Sequence, residues 1–277
     1  MKKISPTTFG LLLMFVCLPL LAAPASEELH YRVSYRGLFS AGAEVSIANV
    51  VLRTRRPSAH AAYLESELTA SSEAYSHVES IYPIRYRFRS WYWRDRSGVL
   101  ASEYFEYGRP DDIEHKLIYL DTRDKPFVTR NLRRKGPLDL PSLRNGSYQS
   151  AVASGERHAF DRLGLLQHLR GQALRPGQVL ESKVSNGSKM LRYRVKVEKA
   201  TRIRLAGRDH AALKLRFDGL GVDERGREKH AHRPVYIWVS KDERHIPLLA
   251  VSKHVLGTFR IELRPARSTA KVALSSG

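Results

Sequence analysis

The chain has 277 residues, 42% of them apolar, and a formal net charge of +19. That length holds one large domain or two small ones, and that apolar share supports a core without staples. A single cysteine, Cys17, excludes a disulfide framework, and the basic excess disfavours basic partners while attracting polyanions and anionic membrane surfaces.

The first segment reads as an export signal. Lys2 and Lys3 precede an apolar run over 9–21, which ends in Ala23-Pro24-Ala25 and the polar Ser26-Glu27-Glu28. A basic start, an apolar centre and a small-x-small end form the pattern that a signal peptidase cuts. The run is 13 residues long, short of the roughly 20 that a spanning helix needs. Phe15 and Val16 stand before Cys17, where a lipoprotein signal would carry small residues, so lipid anchoring is not expected. The expectation is a signal peptide over 1–25, cleaved after about Ala25, and a periplasmic mature protein. Cleavage would remove the cysteine and leave a charge of +17, because the leader contains no acid.

From residue 29 the dominant rhythm is alternation with a period of two. Leu29, Tyr31, Val33 and Tyr35 alternate with polar residues, as do Ile84, Tyr86 and Phe88. The same holds for Leu191, Tyr193, Val195 and Val197, for Leu213, Leu215 and Phe217, and for Phe259, Ile261 and Leu263. Successive strand side chains point to opposite faces, so each segment has one apolar and one charged face. Such strands favour antiparallel pairing, with one buried side and one wet, mainly basic side. Further strands are predicted at 41–52, 62–71, 98–107, 112–121, 126–131, 234–240 and 246–255. Turn signals separate them at 96–98, 108–111, 175–177, 186–188 and 206–208.

Residues 132–160, rich in Gly, Pro, Ser, Asn and Arg, read as a long connection. After it, apolar residues at 163, 165, 166 and 169 have helical spacing, with Asp161 placed to cap and Gly171 to stop. The expected fold is therefore mainly β. It is a large antiparallel curved sheet or half-barrel with one short helix near 161–170. Residues 26–265 form one β-rich domain, or two lobes, 26–131 and 172–265, joined by 132–171. A flexible tail covers 266–277.

Three stretches carry a family likeness. The first is Leu29-His-Tyr-Arg-Val-Ser-Tyr-Arg-Gly-Leu-Phe-Ser-Ala-Gly-Ala-Glu-Val. The second is Asp161-Arg-Leu-Gly-Leu-Leu-Gln-His-Leu-Arg with Leu174-Arg-Pro-Gly-Gln. The third is Val235-Tyr-Ile-Trp-Val-Ser-Lys-Asp-Glu-Arg-His-Ile-Pro with Gly257-Thr-Phe-Arg-Ile-Glu-Leu. In this order the chain resembles the exported bacterial domain of unknown function 3108 over nearly all of 29–264. The resemblance implies an envelope location and a β-rich fold, similar to the curved half-barrel of the Lol-system lipoprotein carriers. It supplies no catalytic residues. The family's helix often begins Asp-x-x-Ser, and here Gly164 holds the serine place. Gly37 and Gly42 suit a bend, Trp238 a core anchor, 241–244 a charged turn and Pro247 a strand start.

No motif for chemistry stands out. The chain lacks HExxH, GxSxG, GxxxxGK[ST] and GxGxxG patterns. His230 and His232, with Asp223 or Glu228, have ligand spacing on a strand, but a loop charged throughout accounts for them better, and no metal or cofactor is expected. The most pointed feature is the aromatic–basic strand 85–94. Arg85, Arg87, Arg89, Trp91 and Trp93 share one face, expected to be the wet one, and form the candidate ligand-binding set. Guanidinium pairs with phosphate, and indole suits an apolar–polar boundary.

The leading expectation is a non-enzymatic periplasmic envelope protein that binds an anionic lipid, lipopolysaccharide or another polyanionic component. The alternative is a structural or adaptor protein docking on an envelope protein, followed by an unrecognised hydrolase of envelope polymers. Nucleic acid is disfavoured by export and by the scattered arginines.

Overall fold

The computed structural model describes residues 26–58, 61–109, 112–119, 128–131, 159–185, 190–222 and 227–265. The first half forms β1 (Ser26–Gly37), β2 (Glu44–Arg55), β3 (Tyr63–Ser71), the one-turn helix α1 (Ser76–Glu79), β4 (Arg85–Trp93), β5 (Val99–Arg109), β6 (Asp112–Tyr119) and β7 (Val128–Asn131). The second half forms β8 (Ala159–Phe160), helix α2 (Arg162–Arg170), β9 (Val179–Ser185), β10 (Met190–Leu205), β11 (Arg208–Val222), β12 (Glu228–His230), β13 (Val235–Ser240), β14 (Pro247–Lys253) and β15 (Gly257–Leu263).

All the strands join one sheet, ordered β7-β6-β5-β4-β3-β2-β1-β15-β14-β13-β11-β10-β9-β8, with β12 on β11. Each half is a meander of sequence neighbours, and β1 pairs with β15 to join them. Every ladder is antiparallel except the short β8–β9 pair that α2 connects. Alternation therefore pairs like with like. Tyr31, Val33 and Tyr35 stand opposite Leu263, Ile261 and Phe259, and Phe217 and Leu215 stand opposite Val195 and Val197. The apolar faces merge into one inner face.

The sheet is strongly curved. Helix α2 packs on β4 and also on β8 and β9, although β4 and β9 stand nine places apart in the strand order. Extra residues in single strands help the bend, since a bulge increases local twist. Ile47, Leu100, Glu198 and Leu248 are each skipped by the pairing register.

Inside this wrap α2 fills the core. Leu165 and Leu169 pack with Tyr92, Val99, Val184, Val197 and Leu215. Leu163 packs with Tyr31, Val33, Val50 and Leu52. Its cap is the expected one, with the Asp161 carboxylate accepting the Gly164 N–H at 2.6 Å. A side chain at 164 would place its Cβ 2.1 Å from Val99 Cγ2. Glycine thus lets the helix lie close on β4 and β5, and the backbone N–H supplies the capping donor. Beneath it runs a row of small residues, Ser66, Ser90 and Ser102, in register on three strands and fully buried.

Several details differ from the sequence reading. Strand β9 follows weak alternation, with only Leu180 and Val184 as inward apolar residues, and was not predicted. Gly42 has φ +78 in the expected turn. Gly37 is extended and serves a close approach, since a Cβ there would lie 2.2 Å from the Leu256 carbonyl oxygen. Trp238 is half-buried at the edge of a small cluster with Leu205, Ala212 and Leu248. Its ring lies 5.6 Å from Lys214 Nζ. The signal segment, most of the 132–160 connection, the 186–188 turn and the 266–277 tail lie outside the described residues.

Candidate functional site

The five residues singled out on β4 do share a face, the outer one, but the adjacent strands and the β3–β4 connection furnish it with acids. Arg85 meets Glu79 at 2.9 Å and Glu73 at 3.2 Å. Arg89 meets Glu67 at 2.7 Å and Glu103 at 3.7 Å. Arg87 lies 3.8 Å from Glu103 and 5.3 Å from the centroid of Phe105. The lattice continues through Arg53, which joins Glu28 and Glu67, and through Arg55, which joins Glu65. Burial works against the Arg89 charge, yet Glu67, Glu103 and Glu65 outweigh it and raise its pKa. Trp91 is only 2% exposed and donates its indole N–H to Glu65. Trp93 is half-buried and borders an open depression of about 500 Å³ with Ala62, Arg94 and Asp95. The expected wet basic face is therefore an ion-paired, partly covered surface. Its arginines already hold carboxylates, which an incoming phosphate would have to displace.

The histidine pair is not convergent. His230 Nδ1 lies 3.7 Å from Asp218. His232 turns over Gly219 to reach the Tyr193 hydroxyl at 2.9 Å. Glu228 pairs with Arg192, and Asp223 lies outside the described residues. Among the described residues no group of three or more His, Cys, Asp or Glu could hold a metal.

The inner face has a different character, and it changes along the strands. The upper end carries the β1–β2, β3–β4 and β14–β15 connections. The lower end carries the C-terminus of α2, tied by His168 to the Arg96 carbonyl and by Arg170 to that of Arg244. Around α2 the inner residues are buried: Ser66, Ser90, Tyr92 and Val239. Above it their strand-mates Leu68, Ala70, Tyr86, Phe88, Val235 and Ile237 are only half-buried, as are Phe259 and Ile261. Among the described residues the inner face beyond α2 thus has an open half along β3, β4, β13 and β15, while the inner side chains of β1, β2, β10 and β11, such as Tyr31, Val33, Val50, Val195 and Phe217, are buried.

At the floor of that open half sits Arg162, the first residue of α2. It is exposed and makes no ion pair among the described residues. Its charge bears on the Tyr86 hydroxyl, whose pKa burial raises. Next to it, Asp161 is fully buried, and burial lifts its carboxyl pKa to about 6. Hydrogen bonds from Gly164 N–H and Ser90 Oγ oppose that rise in part. Sequence reasoning missed Arg162. Its only signal was a basic residue at the first turn of a helix, where the macrodipole disfavours positive charge.

Residues 144–264 match the family model DUF3108, a protein of unknown function. The DUF3108 match contains two of the three stretches read from sequence, those of α2 and of β13 to β15. The first stretch, on β1 and β2, lies outside it, so the likeness read over 29–264 is narrowed to the second half of the chain. The DUF3108 segment supplies α2, with Arg162 at the floor of the open half, and the strands from β8 to β15. No curated protein matches the chain. A crystal structure described as a beta-barrel-like protein of domain of unknown function DUF1849, from Brucella abortus, has the same fold. The two agree with a TM-score of 0.54 and 8% identity, over 86% of this chain and 94% of that chain. The fold is barrel-like and mainly antiparallel.

Proposed function

We propose that the protein is a non-enzymatic component of the bacterial envelope that holds an anionic amphiphile on its inner face. The apolar part lies along β3, β4 and β13 to β15, and the acidic group is directed to Arg162. One observation supports this above the others: among the described residues the inner apolar side chains of β3, β4, β13 and β15 are left half-covered, with a cation that lacks an ion pair beside them. Concave, mostly apolar sites with a few placed polar groups are typical of small-molecule binding, and the mouths of β-barrels are among their usual places. Burying about 300 Å² of apolar ligand surface would contribute about 7 kcal/mol before the cost of immobilisation. A charge-assisted hydrogen bond to Arg162 would set the sign of the headgroup.

The test is to purify the protein from its native envelope and extract it for lipid mass spectrometry. One enriched acidic amphiphile is expected, with recovery lowered severalfold in Arg162→Gln. Phe88→Arg, on the wall, should abolish recovery while the circular dichroism spectrum stays unchanged. An empty extract from folded wild-type protein would sink this reading.

A further inference from the structure

Three of the described connections at the upper end of the barrel expose large apolar side chains at their tips. Leu38 and Phe39, after β1, are 74% and 77% exposed. Val255 and Leu256, between β14 and β15, are 87% and 51% exposed. Ile81 and Tyr82, before β4, are 77% and 52% exposed. A single exposed apolar residue needs no explanation, but a group gathered at one end of a molecule does.

The tips are built rather than loose. Leu38 N–H donates to the Leu256 carbonyl at 3.1 Å, and the Tyr35 hydroxyl donates to the same oxygen at 2.6 Å. The Tyr35 ring packs on Phe259, 5.1 Å between centroids. Gly37 and Gly257, opposite each other in the ladder, let the two strands and the tyrosine approach without a Cβ between them. The third tip is fixed by Tyr75 on Asn49 and by the Arg85–Glu79 pair.

The charges around the tips are sorted. The acids beside them are engaged: Glu44 accepts from Ser34 at 2.6 Å, and Arg85 holds both Glu73 and Glu79. Arg36 and Lys253, beside the two tied tips, are exposed and have no ion pair among the described residues. The whole chain carries +19.

We propose that this rim docks the barrel on an anionic phospholipid bilayer, with Leu38, Phe39, Val255 and Leu256 entering the headgroup–acyl boundary and Ile81 and Tyr82 touching beside them. Separate protruding tips suit a fluid surface, which yields to each of them, whereas a rigid protein partner would need a matching pit for every tip. Long-range attraction of a basic protein to anionic lipid brings the rim down, and apolar insertion retains it. The open half of the inner face would then look into the membrane. The inference does not depend on that open half holding a ligand, and vesicle binding tests it alone.

The experiment is co-sedimentation with mixed phosphatidylcholine–phosphatidylglycerol vesicles at about 0.15 M salt. Wild-type protein is compared with Phe39→Ser/Val255→Ser, both prepared from the full chain and carrying the same N-terminus. These side chains are too exposed to support the fold, so the variant should stay folded and its partition should fall about tenfold or more. A Phe39→Trp variant should show a blue shift of the new emission on vesicles and quenching by lipids brominated in the acyl chain. Equal binding of wild type and the double variant, or no binding by either, overturns the proposal. So does a wild-type dimer that the double variant makes monomeric, since the rim would then join two copies of the chain.

Discussion

At the scale of single residues the decisive group is Asp161. It is buried, it caps α2 through Gly164 N–H, and it accepts from Ser90 Oγ at 2.7 Å. Burial lifts its pKa from the usual 3.8 to about 6. A folded-state pKa above the unfolded one means that the native state holds the proton longer. The group's contribution to stability is therefore complete below about pH 4 and is lost as pH rises through about 6, a change of about 3 kcal/mol. Asn at this position still accepts from Gly164 and can donate to Ser90. Asp161→Asn should fold normally and lose this fall in stability between pH 4 and 6, measured by urea unfolding across that range. An unchanged slope would mean that the carboxyl does not titrate there. The cap itself was legible, because Asp before an apolar-periodic segment is a local signal. Its burial was not, because that comes from Ser66, Ser90 and Ser102, residues on three strands far away in sequence.

Among the elements, α2 and β4 show where legibility stops. Helical spacing located α2 to within a residue, and alternation placed β4 and its two faces correctly. Neither pattern says which strands stand alongside. The arginines of β4 looked like a free cationic surface because Glu65, Glu67 and Glu103 belong to β3 and β5, whose pairing with β4 is a tertiary fact. The same blindness hid how β1 secures α2. Glu27 takes Arg170 in two contacts, at 2.8 and 3.0 Å, and Arg244 at 2.8 Å, so the first strand, the helix end and the β13–β14 turn meet at one carboxylate. Burial works against the Glu27 charge, but the hydrogen bonds from Arg170 and Arg244 prevail and hold its pKa below the usual value. A depressed carboxylate pKa gives stability that is present above the unfolded pKa and lost as pH falls through the folded one. Removing one partner of a buried pair costs about 3–5 kcal/mol, because the other is left uncompensated. Glu27→Ala strands the nearly buried Arg170, so a loss near 3 kcal/mol is expected in urea unfolding at neutral pH. Arg170→Met should cost less, because Arg244 still neutralises Glu27. The reverse order would show that the carboxylate does not organise this corner.

For the molecule as a whole, strand order decides how it behaves. Read along the sequence, the chain falls into two β-rich halves around 132–171, which is why two lobes and one curved sheet were both open. The alternation gave the inner face but not the seam, since β1 and β15 lie more than 200 residues apart and nothing local marks them as partners. With the seam in place, the two meanders become one ladder, and α2 supplies both cores, Leu163 on the first half and Leu165 and Leu169 mainly on the second. Neither half keeps its helix if the other melts. Unfolding should therefore be one cooperative event despite the length of the chain, in contrast to the stepwise opening of loosely joined domains. Native-state hydrogen exchange under rising denaturant tests this. Peptides from β1 to β3 and from β10 to β11 should converge on the same opening free energy and the same denaturant dependence. Exchange of 26–109 at a clearly lower denaturant concentration than 172–265 would mean that the seam does not couple the halves. The upper parts of β3, β4, β13 and β15 should exchange sooner than strands beside α2, because their inner apolar side chains are the ones left half-exposed. A site that must admit a ligand is drawn from the least stable part of its fold, and here that part and the candidate site coincide.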